Sequence, residues 1–184
     1  MRHHSNKNEH PSTYFAEDRS SKDDLIRLLL QDRMMTQAMG GVLSEQPDLS
    51  RLRRVLDVGC GTGGWLIALA QAYPAIETLF GVDISRKMVE YARVQAEAAG
   101  VSERVEFLVM DALRRLEFPV GYFDLVNQRC GASYLRTWDW PHLLQEYQRV
   151  TRTGGVIRIT EGEWGAESTS QALSNLFDLL RQAY

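Results

Sequence analysis

Cysteine is scarce in this sequence: 2 residues in 184, Cys60 and Cys130, with no C-x-x-C pair. Neither a disulfide framework nor a zinc site is indicated, and a reducing, cytoplasmic setting is the expectation. A basic excess is also missing. The 21 Lys and Arg against 24 Asp and Glu leave a net charge of −3, which offers no general attraction to nucleic acid or to an anionic membrane. There is no long apolar run: residues 25–30, LIRLLL, are too few and carry Arg27, so they suit neither a signal core nor a membrane span. No internal repeat or low-complexity tract is present. What remains is a globular composition, 44% hydrophobic and 24% charged, in a chain long enough for one domain that buries roughly 70% of its unfolded surface.

The chain is organised around residues 54–65, RVLDVGCGTGGW. Val55, Leu56 and Val58 form a short apolar run that stops at a cluster of four glycines, which predicts a buried strand entering a tight turn. Residues 65–73 are good helix formers, with Leu66, Leu69, Ala70 and Tyr73 at three- and four-residue spacing. Strand, glycine turn and helix together make a ligand site, because the bare backbone allows close approach and the helix start offers N–H donors. Gly59, Gly61 and Gly64 fit G-x-G-x-x-G, and Asp83 lies about 20 residues on, as in a dinucleotide fingerprint. Asp57 tilts the choice, since a carboxylate at the mouth of the turn repels a pyrophosphate but suits an ammonium group. The residues favour a zwitterionic ligand over a diphosphate.

Before this stretch, residues 1–20 read as a disordered or lid-like tail, and His3, His4 and His10 as part of a solvated segment in preference to a metal site. Residues 21–50 read as a helical segment: capping-box spacing at 21–24, an apolar face of Leu25, Leu28, Leu29, Met35 and Met39, and a stop at Gly40-Gly41. Residues 51–184 read as an α/β domain. Strands are predicted at 78–84, 104–109, 123–127 and 156–160, helices at 85–99 and from Asp139-Trp140-Pro141 to 150, and a turn at Thr153-Gly154-Gly155. From 168 the pattern is again helical, with Leu173, Leu176, Phe177 and Leu180 in register. Such alternation implies a doubly wound, mostly parallel sheet with helices on both faces. Ligands there sit beyond the strand C-termini at the switch point, where Asp57, Gly59, Asp83, Asp111 and Asn127 fall. Asp83 can accept hydrogen bonds from the vicinal hydroxyls of a ribose; its other reading is a helix N-terminal acid.

Several motifs carry a family resemblance. D-x-G-x-G-T-G at 57–63, GVDIS at 81–85, MDA at 110–112, FDLV at 123–126 and GGVIRITE at 154–161 together resemble class I S-adenosylmethionine-dependent methyltransferases, from about residue 53 to 161. The resemblance implies a Rossmann-like fold, S-adenosyl-L-methionine as cofactor and methyl transfer. It also implies that Gly59, Cys60 and Gly61 supply backbone contacts to the methionine part and that Asp57 faces its ammonium. Ile84 would pack on the adenine, Asp111 and the Ala112 N–H would read the adenine edge, and Asn127 would link the methionine moiety to the acceptor.

Chemistry of this kind needs no dedicated catalytic residue, because the sulfonium is already activated and the protein has only to align an acceptor and exclude water. Asn127-Gln128-Arg129-Cys130 stands where base-amine methyltransferases carry an N-P-P-[YF]-like tetrad, so the expected acceptor is a small molecule and not nucleic acid. Cys130 has no preceding proline and reads as a small buried residue before it reads as a nucleophile. His142 reads as an exposed helix residue before a general base, while Tyr134 and Arg136 are candidate substrate contacts. Tyr14, Phe15, Met34, Met35 and Met39 either line a lid or simply pack. With no ligand cluster beside the fourth and fifth strands, transfer should be metal-independent. Two other readings are a nicotinamide-dependent oxidoreductase, disfavoured by Asp57 and the lack of an evident hydride-transfer site, and a cofactor-binding module with no acceptor pocket. The resembled fold has seven strands and only five are recognisable, so the expectation is a truncated domain that binds cofactor, transfers methyl groups poorly and self-associates through an exposed fifth strand.

Overall fold

The computed structural model describes residues 22–46, 48–162, 170–172, 174 and 175. The expected tail at 1–20, the capping Ser21, Tyr14, Phe15, the three N-terminal histidines and the apolar positions at 173, 176, 177 and 180 lie outside them. In chain order the elements are α1 (Lys22–Ala38), β1 (Arg54–Val58), α2 (Gly64–Ala72), β2 (Thr78–Asp83), α3 (Arg86–Ala98), β3 (Val105–Val109), β4 (Phe123–Arg129), a 3-10 turn at Gly131–Ser133, α4 (Trp140–Val150) and β5 (Thr151–Thr160). The five strands form one sheet in the order β3-β2-β1-β4-β5, and every pairing is parallel. The order reverses between β1 and β4, so the switch point lies beyond the C-terminal ends of those two strands.

Alternation along the strands divides the core in two. Val55, Leu79, Val105, Phe107 and Leu125 face α2 and α3 and pack with Trp65, Leu66, Leu69, Val89 and Ala92. Leu56, Val58, Val82, Phe123 and Val126 face the other way, against Leu143, Tyr147 and Val150 of α4. The segment after α1 joins the first layer: Leu43 is fully buried and the Val42 carbonyl accepts a 2.9 Å hydrogen bond from the Trp65 indole. Ser85 caps α3 through Met88 N, as its sequence position predicts.

Two element boundaries differ from expectation by more than one residue. β4 continues two residues past Asn127, because Gln128 and Arg129 pair with Ile159 and Thr160. β5 begins at Thr151, directly after α4, and the expected turn at Thr153–Gly155 is an irregularity inside it, with Gly154 at φ 74° and a register shift opposite Phe123 and Leu125. Asp124 stabilises this corner, accepting from Arg152 and from the backbone N–H groups of Arg53 and Arg54. β5 pairs on one side only among the described residues.

Candidate functional site

A cavity of about 540 Å³ opens at the switch point, lined by the glycine turn, the ends of β2 and β4, the loop after β3 and one face of α1. Of the nine residues predicted to bind cofactor, eight line it: Asp57, Gly59, Cys60, Gly61, Asp83, Ile84, Asp111 and Ala112.

The glycine turn is held by its own N–H groups. Gly59 N and Cys60 N both donate to the Val82 carbonyl, at 2.8 and 3.0 Å, and Gly61 N donates to Asp83 Oδ2 at 2.9 Å. With those donors satisfied, the turn can still offer a ligand carbonyl oxygens, which suit an ammonium donor. Gly63, at φ 75°, brings the turn so close to the sheet that an added Cβ would lie 2.5 Å from the Phe107 ring and 2.8 Å from Ala92 Cβ. Over Gly61, by contrast, an added Cβ meets nothing within 4 Å, so the cavity reaches bare backbone there. Asp83 accepts from Ser85 N at 2.8 Å with its second oxygen. It is thus the clasp of the turn and the cap of the α3 entry. Asp111 accepts from Leu113 N at 3.0 Å, and Ile84, also in the cavity wall, is 36% exposed.

The ninth residue, Asn127, is placed differently. Its side chain is fully buried, it does not line the cavity, and both ends of its amide are spent. Nδ2 donates to Asp57 Oδ1 at 2.6 Å, and Oδ1 accepts from Arg158 at 2.8 Å. The cause is register: Asp57, Asn127 and Arg158 are direct neighbours across β1, β4 and β5, and point to the same face. Arg158 also donates to Glu45 and lies near Met39 Sδ at 3.5 Å. A cross-strand polar row therefore runs beneath the cavity from Asp57 to the segment after α1. Burial pushes the Asp57 carboxyl up to about 6, against the opposing pull of Arg129, Asn127 and Arg158.

Sequence reasoning named the α1 methionines and Cys130 but missed the polar groups that α1 and the end of β4 contribute. Arg129 forms an ion pair with Asp32, donates to Thr36 Oγ1 at 3.3 Å and lies 5.7 Å from the Trp65 ring centroid. Gln31 Nε2 donates to Cys130 Sγ at 3.1 Å, and that thiol donates to Met35 Sδ at 3.2 Å. Cys130 is half-buried in the cavity wall and adopts φ 58°, the one positive-φ residue other than glycine among the described residues. Of the three lid methionines, Met35 lines the cavity, Met39 meets Arg158, and Met34 is 68% exposed. Signal for this half existed in the period-2 pattern of β4 and β5, where Asn127, Arg129 and Arg158 put polar groups on the face used by Leu125 and Val156.

The remaining candidates separate cleanly. Tyr134 lines the cavity with its hydroxyl accepting from Gln128 Nε2 at 3.3 Å, and Gln128 Oε1 accepts from Tyr147 at 2.8 Å. Burial pushes both phenols above their ordinary range. A Cβ on Gly59 would lie 2.3 Å from the Tyr134 hydroxyl, so the two fit only because residue 59 is glycine. Glu161, just past β5, accepts from Gly131 N at 2.7 Å and Ala132 N at 3.0 Å and holds the loop that carries Tyr134. Arg136 is exposed, stacked on Trp138 at 5.2 Å, and His142 is exposed on α4; neither lines the cavity. Among the described residues, no group of three or more His, Cys, Asp and Glu side chains is placed to hold a metal ion.

This sheet order, with a glycine turn after the central strand and acids at the ends of β1 and β2, is the architecture of class I S-adenosylmethionine-dependent methyltransferases. Residues 55–155 match the model of the methyltransferase domain family, and the chain belongs to that family. It is 35% identical over 104 residues to demethylmenaquinone methyltransferase from Geobacillus kaustophilus, covering 56% of this chain and 43% of that protein. It is 37% identical over 106 residues to 27-O-demethylrifamycin SV methyltransferase from Amycolatopsis mediterranei, covering 58% and 37%. Among solved structures, the YcgJ protein from Bacillus subtilis superposes with a TM-score of 0.57 at 28% identity, over 72% of this chain and 54% of that one. The chain thus spans less than half the length of these two curated relatives.

Proposed function

We propose that this chain binds S-adenosyl-L-methionine and serves methyl transfer to a small-molecule acceptor. The observation that carries this reading is the charge of the cavity: Asp32, Asp57, Asp83, Asp111 and Glu161 line it against only Arg27 and Arg129. Such a lining attracts a ligand bearing sulfonium and ammonium groups and repels a dinucleotide diphosphate, which weighs against a nicotinamide cofactor. The residues fit the group in shape as well, through the bare backbone at Gly61 and the carboxylate of Asp83 at the strand end.

The cofactor would supply a methyl group already activated on a sulfonium. The chain's own residues do the rest. Asp57, with Gly59, Cys60 and Gly61, receives the amino-acid end, and Asp83 accepts from the ribose hydroxyls. Ile84 covers the adenine, whose edge Asp111 and Ala112 read. Asn127 acts by orienting Asp57 from beneath and does not reach the acceptor space. Tyr134, Met35 and Cys130 bound the space left for the acceptor and exclude water from it. The relatives named for demethylmenaquinone and 27-O-demethylrifamycin SV support a small organic acceptor. Equilibrium dialysis against S-adenosylhomocysteine and NAD tests the cofactor, and methyl-transfer assays on a metabolite panel test the acceptor. Binding of NAD in preference would overturn the reading. The β5 edge, with Ile157 and Ile159 each more than one-third exposed, supports self-association through that strand, which sedimentation velocity measures.

A further inference from the structure

Arg129 is the cation on the floor of the cavity, and no role described above uses it. Arg158, the other guanidinium on that face, is 7% exposed and committed to Glu45 and Asn127. Arg27 stands at the exposed, α1 side of the cavity, where it donates to Gln31 at 3.1 Å. Arg129 projects from the end of β4 on the same face as Asp57, and its charge acts on the Asp57 carboxyl. Its guanidinium is held from one side, one terminal nitrogen on Asp32 and the other on Thr36, one helical turn apart on α1. A guanidinium carries five N–H donors in a planar fork. Two are directed to α1, and the fork still has donors for an anion brought by a ligand.

We propose that Arg129 reads the carboxylate of the ligand's α-amino-acid end, while Asp57 reads the ammonium, and that Asp32 and Thr36 on α1 are the positioning residues that set the Arg129 fork. This rests on the cofactor reading above and extends it. The methionine end would be recognised as a zwitterion by two opposite charges side by side, and α1, outside residues 55–155, becomes a required part of the cofactor site. A consequence is selectivity. A nucleoside lacking the amino-acid end should be indifferent to everything Arg129 does.

The test uses calorimetry on the full chain with two probes, S-adenosylhomocysteine and 5′-methylthioadenosine, which keeps the nucleoside and thioether but not the amino acid. Arg129→Met should weaken S-adenosylhomocysteine about 10- to 100-fold, the range for losing a charge-assisted hydrogen bond, and leave methylthioadenosine within twofold. Arg129→Lys should fall between, because a point charge cannot replace the fork. Asp32→Asn should weaken S-adenosylhomocysteine by a smaller factor in the wild-type background and have no effect in the Arg129→Met background. Equal loss of both probes in Arg129→Met and Arg129→Lys would overturn the assignment by making Arg129 merely structural. So would unchanged S-adenosylhomocysteine binding, or an Asp32→Asn effect that persists without Arg129. Failure of the wild-type chain to bind either probe would instead sink the cofactor reading itself.

Discussion

The two halves of the cavity are held by different kinds of bond. On the β1–β2 side the wall is backbone: Gly59, Cys60 and Gly61 spend their N–H groups on Val82 and Asp83, and Gly63 is pressed against Phe107. On the β4–β5 side it is side chain: Asp57, Asn127, Arg158 and Glu45 in a row, and Arg129 with Asp32 and Thr36 beside it. Backbone walls leave little freedom to change residue type without losing the fold. Side-chain walls can be retuned one partner at a time, and here their partners come from α1 and the segment after it. The first half is suited to constant features of a ligand, the second to selectivity and regulation.

Substitutions can break this contrast. The largest effect should follow from Gly63→Val, which forces a branched side chain into a positive-φ position and into Phe107; a loss of about 3 kcal/mol or more is expected by denaturant unfolding. If Gly63→Val were neutral, the backbone half would not be the rigid one. Next is Asp83→Ala, which should weaken S-adenosylhomocysteine by about 1.5–3 kcal/mol. Unchanged affinity in calorimetry would leave Asp83 as a turn clasp alone. Asn127→Ala, in the side-chain half, removes the shared partner of Asp57 and Arg158 and should cost about 1–3 kcal/mol of stability, with the Asp57 carboxyl titrating higher still by NMR.

Smaller effects sharpen the comparison. Because the Asp57 carboxyl in the folded chain lies near 6, above its ordinary 3.8, its burial cost is fully present above pH 6. That cost is relieved as the pH falls toward 3.8, so this group by itself favours the fold at the acid end. Ligand binding should run the other way. An ammonium prefers the ionised carboxylate, so affinity should rise about tenfold or less between pH 5 and 7.5, and Asp57→Asn should flatten that dependence. The smallest expected effect is none: methyl transfer should survive EDTA, and a rate abolished by chelation and restored by magnesium would reveal a ligand set outside the described residues.

Much of the fold was legible because its signals are local. The apolar run into glycines set β1 and its turn, Ser85 set the start of α3, and the acids at strand ends pointed to the cavity. What was not legible is lateral. A single sequence shows that Asn127 and Arg158 alternate onto a buried face, but not that parallel register puts both level with Asp57. The partners in the side-chain half lie far apart, 97 residues for Asp32 and Arg129 and 113 for Glu45 and Arg158. β4 was ended too early because Gln128 and Arg129 look like loop residues, although Tyr147 and Thr36 satisfy them in place. β5 was begun too late because Thr-Gly-Gly reads as a turn, whereas Asp124 and Arg152 absorb the irregularity within the strand.

The row of side chains under the cavity also has an outer end. The Glu45 side chain is 40% exposed, yet it shares Arg158 with Asn127, and Asn127 holds Asp57. Charge at the surface is therefore communicated inward across three strands. Replacing Glu45 with Gln leaves the Arg158 cation with one fewer competing anion, and Asp57 should then ionise more readily. The acidity of the cavity floor has a remote handle on the outside of the molecule, some way from any ligand.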